Sequence, residues 1–71
     1  MIRAAVTSSS IQAVGYSLPN QTLEIEFVSG GIYRYFNVPE RLHAGLIAAA
    51  SHGMYFDAHI KEGGFRFERI G

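Results

Sequence analysis

Cysteine is absent from this 71-residue sequence, lysine occurs once, and neither sign of charge is in excess. Each gap excludes something. Without cysteine there is no disulfide framework and no thiolate zinc site to staple a small fold. A chain of this length buries only about 60% of the surface its unfolded form exposes, so packing must do the work. No apolar run is long enough to span a membrane, and Met1-Ile2-Arg3-Ala4-Ala5-Val6 is too short for a signal peptide. A cytoplasmic location is the expectation. Zero net charge removes the general basic excess that gives non-specific nucleic-acid affinity, so any such affinity needs clustered basic residues. Five of the six are arginine (Arg3, Arg34, Arg41, Arg66, Arg69) beside Lys61. Arginine suits phosphate contact and structural ion pairing alike.

What the sequence does hold is apolar and aromatic: 48% hydrophobic residues, with four tyrosines and five phenylalanines. One domain over residues 1–71 is expected, with 1–8 a loose lead-in lacking any clean period. Ile11 to Tyr16 reads as a first strand, and Gly15 inside it suggests a bulge or a close backbone approach. Leu18-Pro19-Asn20-Gln21 is a turn. Leu23, Ile25 and Phe27 alternate with Glu24 and Glu26, the period of a half-buried strand.

Ser29-Gly30-Gly31 then closes a hairpin onto Ile32 to Phe36. Loop length decides where the tyrosines point. A two-residue loop would put Arg34 on the face of Ile25 and Phe27. A three-residue loop, with Gly31 left-handed, puts Glu26 opposite Arg34 and Phe27 opposite Tyr33. The second pairs opposite charges and keeps arginine out of the core, so it is preferred.

Val38 ends the extended run, Pro39 opens a helix, and Glu40 meets the positive end of its dipole. Leu42, Leu46, Ile47, Ala49 and Ala50 make an apolar stripe at helical spacing, with Gly45 marking a close helix–sheet contact. The helix should stop near Ser51-His52, capped by Gly53. Met54 to Ile60 fits a brief second helix. Phe65 to Ile70 reads as a last strand with Phe65 and Phe67 facing the core. The sum is an α+β fold: a small antiparallel sheet of about four strands, one face covered by a main helix and a short second one.

Taken together, Ile11 with Val14-Gly15-Tyr16, the strand Leu23 to Phe27, Gly30-Gly31, Tyr33-Arg34-Tyr35, Val38-Pro39 and Ser51-His52-Gly53-Met54-Tyr55-Phe56-Asp57 resemble the KTSC domain. That family occurs at the C-terminus of some lysyl-tRNA synthetases and as free-standing small bacterial proteins. The resemblance runs from about Ser9 to Ile70. The chain departs from the family pattern at Asp57, where asparagine is usual, and at Phe65 to Phe67, where tyrosine is commoner. The resemblance implies the fold, and association with the synthetase suggests RNA.

Tyr33, Arg34 and Tyr35, with Arg66, are the residues that could bind nucleic acid, since strand aromatics stack bases and arginine meets phosphate. The plainer reading is that both tyrosines complete the core and that Glu24, Glu26 and Glu68 neutralise Arg34 and Arg66. His43, His52, His59 and Asp57 have metal-capable atoms without a zinc spacing, so no metal and no cofactor is expected. Ser51 beside His52 is no triad, because neighbours on a helix point apart; Ser51 suits a helix end. The functional expectation is a non-catalytic binding module for RNA or tRNA. The rival is a protein-interaction or self-associating domain using Val28, Ile32 and Phe36, without membrane contact.

Overall fold

The computed structural model describes all residues, Met1–Gly71. The sheet is an antiparallel meander: β1 (Ala4–Ala5), β2 (Ile11–Ser17), β3 (Thr22–Phe27), β4 (Ile32–Tyr35) and β5 (Phe67–Arg69), in that spatial order. Between β4 and β5 the chain makes helices α1 (Glu40–Ala48) and α2 (His52–His59), then a 3₁₀ turn at Lys61–Gly63. The expected α+β class holds. The sheet has five strands rather than four, because Ala4 and Ala5 pair with Val14 and Ala13. Arg3 explains why that lead-in docks: its guanidinium meets Glu24 at 2.6 Å and Glu26 at 3.6 Å. Gly15 is the close approach its position suggests, since a Cβ there would stand 3.0 Å from Arg3 Cγ and 3.1 Å from the Ile2 carbonyl oxygen. The bulge lies elsewhere, between Ile11 and Ala13.

The β3–β4 register differs from expectation by two residues. Glu24 faces Arg34, Ile25 faces Tyr33 and Glu26 faces Ile32. The loop is Val28-Ser29-Gly30, closed by Phe27 N–H on the Gly31 carbonyl at 2.8 Å. Gly30, not Gly31, has the positive φ, at 112°, a region glycine enters without a Cβ clash. Because a sheet repeats every two residues, a two-residue slip keeps every side chain on its expected face. Tyr33 and Tyr35 therefore point towards the helices and Arg34 points away.

The core contains Ile11, Val14, Leu23, Ile25 and Tyr35 from the sheet, with Val38, Leu42, Leu46, Phe56 and Ile60. Helix α1 contributes Leu42 and Leu46 only; Ile47 and Ala50 are exposed, so the stripe is narrower than its spacing implies. Pro39 is the residue just before the helix, with an extended ψ of 149°, rather than its first turn. The helix also ends earlier than expected, and Gly53 lies inside α2 instead of capping α1. Two side chains make the break. The Ser51 hydroxyl accepts from Met54 N–H and starts α2, while the His52 Nδ1 sits 2.8 Å from the Leu46 carbonyl at the end of α1. Gly45 marks a helix–helix contact instead of a helix–sheet one: Tyr55 of α2 lies where a Cβ would be. His43 stacks on Tyr16 at 4.7 Å, and the Tyr16 hydroxyl donates to the Val38 carbonyl at 2.6 Å. These contacts fasten α1 over β2. Helix α2 lies over β3–β4, which leaves the β4–β5 end without a helical cover.

Candidate functional site: an aromatic cleft beside β4 and β5

The four residues singled out in the sequence divide between the two faces. Arg34 lies on the helix-free face, where its Nε and Nη2 donate to one Glu24 oxygen at 3.0 and 2.7 Å while Arg3 takes the other. Glu24 is only 2% exposed. Burial alone would push its carboxyl up, but hydrogen bonds and charge from Arg34 and Arg3 outweigh that and hold it below the ordinary range. Glu68 stands across from Arg34, 4.0 Å from Nη1. Arg66 shares this face but rests on the Phe36 ring, 4.3 Å from its centroid. Arg34 is thus held by carboxylates, and Arg66 lies over a ring.

Of the self-association patch expected at Val28, Ile32 and Phe36, Val28 sits in the turn with its side chain exposed, and Phe36 lies under Arg66. Ile32 packs close to Gly71, whose Cβ would come within 2.9 Å of it. A depression of about 620 Å³ on this side is larger than any other, but Glu24 and Arg34 in its wall already satisfy each other.

Tyr33 and Tyr35 face the other way. Phe56 of α2 packs edge-on to Tyr35 at 5.5 Å and to Phe27 at 5.3 Å, while Tyr33 meets Phe27 at 5.7 Å. Phe67 of β5 continues the array, 5.4 Å from Tyr35 and 6.1 Å from Tyr33. The sequence pattern places Phe67 in the core; it is in fact 57% exposed, because β5 is the edge strand and no helix covers it. These rings border an open cleft of about 410 Å³, with Ser29, Asp57 and Lys61 also lining it.

Its polar groups are unengaged. Tyr35 is 6% exposed, so its ring belongs to the core, yet its hydroxyl has no partner within the protein and is not sealed away. Burial, with the Tyr33 phenol and the Asp57 carboxylate nearby, pushes that hydroxyl's pKa up, so it remains a donor at neutral pH. Asp57 and Lys61 are four residues apart, a spacing that often pairs on a helix, yet neither is in an ion pair. The cleft can take a planar or apolar group against the exposed Phe67 ring and the half-buried Tyr33 ring and offer it hydrogen bonds. Sequence reasoning found two of its rings and missed Phe67, Phe56, Asp57 and Lys61 as companions. The alternation Phe65-Arg66-Phe67 and the Asp57/Lys61 spacing were the available signals.

The histidines are dispersed: His43 on Tyr16, His52 at the end of α1, and His59 against Tyr55 at 4.3 Å. Ser51 is occupied as a helix cap. No helix is long and apolar enough to cross a membrane.

An antiparallel meander with two helices on one face, leaving an aromatic cleft at its uncovered end, defines a small α+β sheet module. A model of the KTSC domain matches residues 7–65, and the chain belongs to the KTSC domain family. An uncharacterized protein of Stutzerimonas stutzeri is 41% identical over 70 residues, 99% of each chain. A lysine–tRNA ligase of Nostoc punctiforme is 44% identical over 62 residues, 87% of this chain but 11% of the ligase. The crystal structure of a KTSC domain protein from Yersinia pestis superposes with a TM-score of 0.93 at 43% identity, covering 99% of this chain and 97% of that one.

Proposed function

We propose that this chain is a non-catalytic binding module whose recognition site is the cleft of Tyr33, Tyr35 and Phe67, and that its ligand is single-stranded RNA. One observation carries the reading: the Tyr35 hydroxyl, in an otherwise buried residue, opens unpartnered into a cleft walled by rings. Base–aromatic stacking contributes about 1–3 kcal/mol per base and needs no basic excess, which suits a chain of zero net charge. Arg69, at 5.9 Å from the Tyr33 ring centroid, is near enough to meet a phosphate. The ligase relatives, by their name, tie such a module to a tRNA-handling protein. Arg34 and Arg66 lie on the opposite face and have no part in this site.

Titration of the isotope-labelled chain with single-stranded RNA and with tRNA at two salt concentrations tests this. Resonances of Tyr33, Tyr35 and Phe67 should move, and binding should weaken as salt rises. Silence at low salt would remove the proposal. A second reading, protein contact or self-association, draws on the β5 edge, where Phe67, Glu68 and Arg69 are all exposed. Light scattering over a concentration series separates the two, since a strictly monomeric chain speaks against self-association.

A further inference from the structure

We infer that the cleft selects a guanine base, read on its Watson–Crick edge by Asp57 and Lys61; this rests on the RNA reading above. Single-stranded RNA is read by stacking a splayed base on aromatic rings and hydrogen-bonding its edge. The cleft supplies both elements. Its accessible rings are Phe67 and Tyr33, with Tyr35 and Phe56 packed behind them, and its free charged groups are Asp57 and Lys61.

The pattern of donors and acceptors chooses among bases. An ionised carboxylate only accepts, with two oxygens side by side, and an ammonium only donates. Together they present acceptor, acceptor, donor. The Watson–Crick edge of guanine presents the complement: two adjacent donors, the amine on C2 and N1–H, and then the O6 acceptor. Cytosine presents the reverse, two acceptors and a donor, and would set lone pairs against the carboxylate. Uracil offers one donor between two acceptors, and adenine one donor beside one acceptor. Only guanine satisfies both carboxylate oxygens, and bonds to an ionised acceptor are the stronger kind. Salt bridges would disable this arrangement, and neither residue makes one.

The test compares a short oligouridylate with the same oligomer carrying one central guanine, or inosine in its place, titrated into the full chain at low salt. Inosine lacks the amine on C2 and so loses one of the two bonds to Asp57. The guanine oligomer should bind about ten-fold tighter than oligouridylate or more, the discrimination of one good bidentate pair, with inosine between them. Asp57→Asn replaces one acceptor by a donor and should collapse the ratio between guanine and uridine oligomers. Because Asp57 is exposed, that variant should keep the wild-type fold, which its amide spectrum reports. Equal affinity for all three oligomers at the cleft overturns the guanine assignment and leaves RNA binding standing. Failure of every oligomer to bind removes both.

Discussion

Back to back on the central hairpin lie two polar side chains whose polar atoms are placed in opposite ways. On the helix-free face, Glu24 is nearly inaccessible and each of its oxygens is met by a guanidinium. On the helix side, one residue along, the Tyr35 ring is almost as buried, but its hydroxyl reaches the open cleft and has no partner in the chain. A buried polar group normally finds a hydrogen bond because leaving it unmade is costly. Where the protein supplies that bond itself, the site is structural. Where it leaves a polar atom open to a cavity, a ligand or water must supply it. By that criterion the proposed recognition site belongs on the aromatic face, although the charged face holds the larger depression.

The sharpest way to break this comparison is to remove the shared floor of the aromatic face. Phe56 is 3% exposed and touches both Phe27 and Tyr35. Phe56→Ala should cost about 3–4 kcal/mol in urea unfolding, from lost transfer free energy plus a cavity. A loss below about 1 kcal/mol would mean that the rings are not packed as described.

Next in size is the charged face. Arg3→Ala combined with Arg34→Ala strands the Glu24 carboxylate without compensation, and should cost about 3 kcal/mol. That is the low end for a broken buried pair, because both guanidinium groups keep contact with water. Each single change leaves one partner in place, so the double variant should cost more than the sum of the singles. Strict additivity in the double-mutant cycle would show that the arginines do not share Glu24.

Acidification sharpens the same contrast more gently. Glu24 has its carboxyl lowered in the fold, burial opposing and the two arginines prevailing. The unfolded chain then takes up that proton first on acidification, so the contribution is complete above the ordinary value of 4.5 and is lost as pH falls through the lower folded value. His43 is also lowered, by burial against the weaker pull of Glu40, from an ordinary value of 6.5. Its contribution is likewise present above 6.5 and is lost as pH falls through its folded value. Stability should therefore decline in two stages, one beginning below 6.5 and another below 4.5. His43→Gln should erase the first stage and Glu24→Gln the second.

What the sequence could disclose follows from the range of the interactions. Alternation in Leu23-Glu24-Ile25-Glu26-Phe27 is local, and it correctly put Tyr33 and Tyr35 on the helix side. Parity survives a two-residue slip, so the face was right although the partner of Arg34 was Glu24 rather than Glu26. The choice between Gly30 and Gly31 as the left-handed residue was not legible, since both are glycine and neither composition nor period separates them. Arg3 reaching Glu24 spans 21 residues, and nothing local in the lead-in announces it. Phe67 was misplaced for a related reason: alternation tells which face a residue is on, but not whether a helix covers that part of the face. Coverage depends on where α2 ends up, which the break at Ser51 and His52 determines.

The smallest expected effect on stability is the most informative one for function. Phe67 touches Tyr33 and Tyr35 from an edge strand and remains 57% exposed, so Phe67→Ala should cost about 0.5–1 kcal/mol, as partly buried substitutions away from the core do. The same change removes one wall of the cleft. If that wall stacks a base, RNA affinity should fall by about 1–3 kcal/mol, more than the stability does, with Glu24 and its arginines undisturbed. Urea unfolding and RNA titration on one preparation measure the two quantities together. A variant that loses stability and binding in proportion would make Phe67 a packing residue like Phe56. A variant that loses binding with its fold nearly intact would separate the two faces by role: one bound to itself, the other left open for a ligand.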